Sequence, residues 1–109
     1  MEKEVYMQRV KVYISGPITG VEDYKKPFEE ARAALEERGY IVLSPTMINP
    51  KFDMNYEDYM SIDMAMLTQC SAIYLLKGWN HSSGACRELD YAIQHDYLII
   101  TDNKELIDQ

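Results

Sequence analysis

Strands that alternate with helices along a chain of 109 residues predict a single α/β domain, residues 1–109, built on a parallel sheet. Three observations carry that expectation. Apolar residues recur every second position in some stretches and every third or fourth in others. The run 72–76, Ala-Ile-Tyr-Leu-Leu, is apolar throughout, as in a strand covered on both faces. Gly and Pro punctuate the ends of the periodic stretches.

In chain order, Val10, Val12 and Ile14 alternate with Lys11, Tyr13 and Ser15, giving a first strand at 9–15. The turn 16–20, Gly-Pro-Ile-Thr-Gly, ends it. Tyr24, Phe28, Ala31 and Leu35 then set a helix over 23–38, with Pro27 suited to its first turn and Gly39 to its stop. A second strand covers 40–43 and a surface loop covers 45–54. A second helix runs over 56–69 and a third strand over 72–76. A glycine-bearing loop at 77–84 leads to a third helix ending near Asp96, then a fourth strand at 97–101 and a short terminal helix.

Right-handed crossovers arrange four such strands in the order 2-1-3-4, a small flavodoxin-like or Rossmann-like three-layer sandwich. Ligands of these sheets bind at the C-terminal strand ends where the order reverses, here between strands 1 and 3. The glycine-bearing loops 16–20 and 77–84 follow those two strands.

Charge narrows the partners. Eleven Lys and Arg against eighteen Asp and Glu give a net charge of −7, which argues against a nucleic-acid polymer as partner. A small phosphorylated ligand stays open, because a few backbone N–H groups can hold one anion. A charged N-terminus and the lack of a long apolar run argue against a membrane partner and point to the cytoplasm. Cys70 and Cys86 lack metal-site spacing and are expected to be buried free thiols; no metal and no cofactor is expected.

Several residues at the proposed crevice could carry chemistry. Glu88 sits early in the third helix beside Ala85, on a buried face expected to include Leu89, Ala92 and Ile93; it could also serve as a first-turn or capping acid. Asp63 interrupts the apolar stripe of Tyr56, Tyr59, Met60 and Leu67, as an acid or acceptor in the crevice or as an edge acid reaching water. Tyr13, near the end of the first strand, either packs or hydrogen-bonds a carboxylate. Ser82 and Ser83 suit either a helix cap or a phosphate or sugar hydroxyl. Ser15, Gly16, Pro17 and Gly84 border the same crevice, and Trp79 either stacks on a base or covers the sheet. His81 lies nearby without a partner. Glu29, Glu30, Glu36 and Glu37 belong to the solvent face of the first helix.

The segment Val12-Tyr13-Ile14-Ser15-Gly16-Pro17-Ile18, the stretch from Phe28 to Leu35, and Gly39-Tyr40-Ile41-Val42 with Pro45 resemble the first half of the nucleoside 2-deoxyribosyltransferase superfamily. Asp58-Tyr59-Met60 with Asp63, the strand 72–76, and Ser83-Gly84-Ala85-Cys86-Arg87-Glu88 resemble its second half. The resemblance spans roughly residues 10–101 and is nearest to a short branch found in bacteria and their phages. It is also similar to the deoxynucleoside 5′-monophosphate N-glycosidases.

That likeness implies cleavage or transfer at an N-glycosidic bond through a covalent glycosyl-glutamate, without cofactor. By motif position Glu88 resembles the nucleophile, Asp63 the acid serving the leaving base, and Tyr13 the phenol orienting the nucleophile. Ser83 and Gly84 resemble the sugar- or phosphate-binding part. Two positions depart from the pattern: Ser82 stands where transferases have an aspartate holding a sugar hydroxyl, and Ser71 where an aspartate often precedes the third strand. Known transferases also have a longer C-terminal segment that completes a neighbour's site. These differences keep open a module that binds or sequesters a nucleotide without cleaving it, and an interaction protein as a third class. A homo-oligomer built through helix 56–69 is expected, because Tyr56, Tyr59, Met60, Ile62, Met64, Met66 and Leu67 cannot all face one sheet.

Overall fold

A computed structural model describes residues 9–48 and 54–101. Four strands form one parallel sheet: β1 (Lys11–Ser15), β2 (Ile41–Leu43), β3 (Ala72–Leu75) and β4 (Leu98–Thr101), in the order β2-β1-β3-β4. Three helices connect them: α1 (Lys25–Glu37), α2 (Tyr56–Leu67) and α3 (Ser83–Gln94). The elements are those the periodicity predicts, trimmed by one or two residues at several ends. The expected terminal helix lies outside the described residues. Within the expected loop 45–54, Pro45–Met47 forms a 3-10 turn with Pro45 buried, while 49–53 lie outside the described residues.

β1 is central and buried on both faces, so its alternation sorts side chains between two cores. Val12 and Ile14 join Phe28, Ala31, Leu35 and Val42 on the α1 face. Tyr13 turns to the opposite face, in a cluster with Leu67, Cys70, Ile73, Leu75 and Ala92. Burying a side chain such as Phe28 stabilises the fold by about 2–3 kcal/mol. α1 stops at Gly39, whose φ of +95° suits glycine. β1 ends at Gly16, where an added Cβ would lie 2.8 Å from the Leu76 side chain. This close approach draws the loop after β1 against the end of β3.

Two expected burials are corrected. Cys86 is exposed, with Cys70 alone buried of the two thiols, and Ile93 is 54% exposed. Both lie on the side of α3 away from the sheet, whereas Ala85, Glu88 and Ala92 face inward.

Candidate functional site

The C-terminal ends of β1 and β2 and the starts of α2 and α3 enclose a cavity of about 770 Å³. That is ample for a nucleoside-sized ligand. Ser82 caps α3: its hydroxyl accepts the Ala85 N–H at 3.1 Å. Starting at Ser83, α3 brings Glu88 round in its second turn, beyond capping reach and over the end of β1.

Glu88 is only 4% exposed, and each of its oxygens accepts a hydroxyl from β1. Tyr13 Oη donates to Oε2 at 2.8 Å and Ser15 Oγ donates to Oε1 at 2.6 Å. The two donors stand two residues apart on one strand, so both point to the same face. Burial pushes the Glu88 carboxyl up to about 7, although both hydrogen bonds favour its charged form and pull the other way. Burial also lifts the Tyr13 phenol well above its ordinary range, with Glu88 adding to the rise, so Tyr13 stays a proton donor.

Asp63 comes from α2, 6% exposed between Met60 and Leu67. Its Oδ1 has no hydrogen-bond partner among the described residues, and burial raises the carboxyl to about 6. Charge on Asp63 raises Glu88 further, so the two acids titrate as neighbours. They differ in support: Glu88 accepts two hydroxyls, whereas Asp63 Oδ1 accepts none.

At the mouth, α2 is tied to α3. Tyr56 Oη and Ser83 Oγ lie 3.3 Å apart, Arg87 Nη1 pairs with Glu57 at 3.2 Å, and the Arg87 guanidinium sits 5.7 Å from the Tyr56 ring centroid. Gly84 lets α2 come close, because a Cβ there would stand 3.2 Å from Met60 Sδ.

Of the residues predicted from sequence, Asp63, Glu88, Gly16, Pro17, Ser82, Ser83 and Gly84 line the cavity. Tyr13 and Ser15 reach it through their hydrogen bonds to Glu88. Trp79 does not line it: half-buried, it packs against the cluster containing Tyr13 and Ile73. His81 is at the wall, as its loop position suggested. Sequence reasoning passed over Tyr24, Tyr59, Pro45 and Ile48, which also line the cavity. The strand-end rule could have found Pro45 and Ile48, since β2 ends at the same crevice as β1.

Comparison with solved structures gives "2-desoxiribosyltransferase from Leishmania mexicana" at 20% identity and a TM-score of 0.64, over 84% of this chain and 63% of that one. A second similar structure, a conserved protein from Enterococcus faecalis V583, has 16% identity and a TM-score of 0.60, over 85% of this chain and 62% of that one. The chain thus spans less than two thirds of either neighbour's length. At these identities the likeness establishes the fold, and the deoxyribosyltransferase resemblance read from the motifs holds at that level. No curated protein matches the chain. A family profile described as "Domain of unknown function (DUF4406)" matches residues 10–101. Since that match takes in every strand and helix described above, the chain belongs to the DUF4406 family.

Proposed function

We propose that this protein cleaves or transfers the N-glycosidic bond of a nucleoside or nucleoside monophosphate, with Glu88 as nucleophile. The observation that carries this is the buried carboxylate held at both oxygens by Tyr13 and Ser15, with a second buried acid, Asp63, in the same cavity wall. The 2-deoxyribosyltransferase among the structures of similar fold supports the same chemistry.

Bond cleavage develops positive charge on the sugar ring, and a carboxylate at the anomeric carbon both stabilises that charge and captures it as an ester. Tyr13 and Ser15 fix the orientation of Glu88 and favour its ionised form. Without substrate the shared proton favours Glu88, the acid with the higher value, and the growing positive charge of the sugar, by favouring ionised Glu88, moves it to Asp63. Asp63 then gives it to the departing base, and in hydrolysis takes one back from the attacking water. Ser83 and the first turn of α3, next to the Ser82 cap, bind the sugar or its phosphate. The commitment of Ser82 to the helix cap favours one competing reading, in which a nucleotide is held intact. Release of free base from a panel of deoxynucleosides and their monophosphates decides between them. Release that disappears in Glu88→Ala supports the proposal; release at wild-type rate in that variant removes Glu88 as nucleophile.

The same proposal includes a homo-oligomer formed partly through α2, whose Tyr56 and Ile62 are exposed apolar side chains. A monomeric mass by light scattering contradicts it.

A further inference from the structure

The cavity combines features that bear on the charge of its ligand. Two carboxyls, Asp63 and Glu88, belong to its wall, and Asp63 is more than nine-tenths buried with an oxygen that has no partner among the described residues. Three tyrosine rings, Tyr24, Tyr56 and Tyr59, line the same space. Of the described lining residues, His81 is the one that can carry positive charge. Tyr56 already holds a cation against its ring, the Arg87 guanidinium at 5.7 Å. Asp63 has no partner for Oδ1 among the described residues, and Arg87 is only the smallest of the influences on Glu88; two such acids beside electron-rich rings favour a delocalised cation over a neutral ring of the same shape.

We propose that the cavity selects N-glycosides whose base carries a formal positive charge, such as N-glycosylated pyridinium rings or N-alkylated purinium rings. The chemistry rests on the glycosyl-transfer proposal above, whereas the charge selectivity concerns binding and can be tested alone. With such a substrate, Glu88 forms the new bond to the anomeric carbon as the carbon–nitrogen bond breaks. The electron pair of that bond passes to the ring nitrogen and cancels its charge, so the base leaves neutral without a proton. Water then supplies its oxygen to the anomeric carbon, and Glu88 is released as carboxylate. The proton from water goes to Asp63 and from there to solvent. A neutral base instead requires Asp63 protonated at the start.

The test uses two probes with no bond to cleave: the N-methylnicotinamide cation and neutral nicotinamide, titrated calorimetrically into the wild-type protein. The expected result at about pH 8 is binding of the cation tighter by about tenfold or more. Near pH 5 both acids are protonated, so the gap closes to about threefold or less. The other groups that face the two acids are the Tyr13 phenol, which burial lifts well above its ordinary range, the rings of Tyr24, Tyr56 and Tyr59, and His81 at the wall. Arg87 and Glu57 remain an exposed pair at the mouth. Asp63→Asn narrows the gap at pH 8.

Equal or weaker binding of the cation at pH 8 overturns the proposal. So does a preference that persists at pH 5, which would come from the methyl group, and so does no binding of either ring at about 10 mM. Base release measured alongside separates the two claims. Release that depends on Glu88 without cation preference overturns the selectivity alone, and cation binding without release from any nucleoside overturns the reaction alone.

Discussion

The two faces of one sheet follow opposite rules. Toward α1, the buried cluster is entirely apolar: Val12, Ile14, Phe28, Ala31, Leu35 and Val42. Toward α2 and α3, the same strand β1 presents Tyr13 and Ser15, and two carboxylic acids are buried beyond them. The first face stabilises the fold by excluding water from hydrocarbon. The second lowers stability, because a buried acid must either stay protonated or be charged in a poor solvent. A chain of 109 residues has a small core, so two buried acids on one face mark where stability and the proposed chemistry make competing demands.

The largest expected effect breaks the second face without harming the first. Glu88→Gln should lower base release by about 10³-fold or more, measured by chromatography of the freed base. The same variant should be more stable than wild type at about pH 8, because a neutral amide replaces a buried charge. Loss of release caused by unfolding would appear as a lower melting temperature instead.

On the other face, Leu35→Ala should cost about 3 kcal/mol in chemical denaturation through the cavity it leaves. In the fraction that remains folded, base release should be close to wild type. A change in base release without a change in stability would contradict the division of labour between the faces.

The contrast also predicts a pH dependence. Glu88 titrates near 4.5 in an unfolded chain and near 7 in the fold, so between those values the native state holds the additional proton. Stability therefore falls as pH rises through this window, by about 3 kcal/mol for Glu88 alone. Asp63, lifted from 3.8 to about 6, adds in the same direction. Urea midpoints measured from pH 4 to 8 should show this decline, and Glu88→Gln should flatten it. For a neutral base, activity should be bell-shaped, with limbs near 6 and 7 where the acid pair holds one proton.

The smallest expected effect is at Tyr13. Tyr13→Phe removes one donor to Glu88 and should slow release by about tenfold, consistent with a hydrogen bond to a charged group. It should also shift the limb of the pH profile assigned to Glu88 upward. A role in packing alone would leave that limb in place.

Much of this contrast was legible in the sequence. Alternation in β1 and the three- to four-residue spacing in the helices marked the elements, and the reversal of strand order marked the crevice. Glu88 was visible because Ala85 and Ala92 flank it on one helical face, and Asp63 because it interrupts an apolar stripe. What failed has a common cause: local pattern places a residue on a loop or helix but does not say which neighbour it meets. Trp79 lies in the expected loop yet turns to the core, and Ile93 adjoins the buried stripe of α3 yet faces outward. Pro45 read as part of a surface loop because its 3-10 turn packs against α1, which local pattern does not reveal.

The most direct measurement is mass spectrometry of protein quenched in acid during turnover of a deoxynucleoside. A deoxyribosyl adduct on the peptide containing Glu88, absent from Glu88→Gln, is the predicted result. Base release at undiminished rate in Glu88→Gln, or an adduct on a peptide that lacks residue 88, would contradict it.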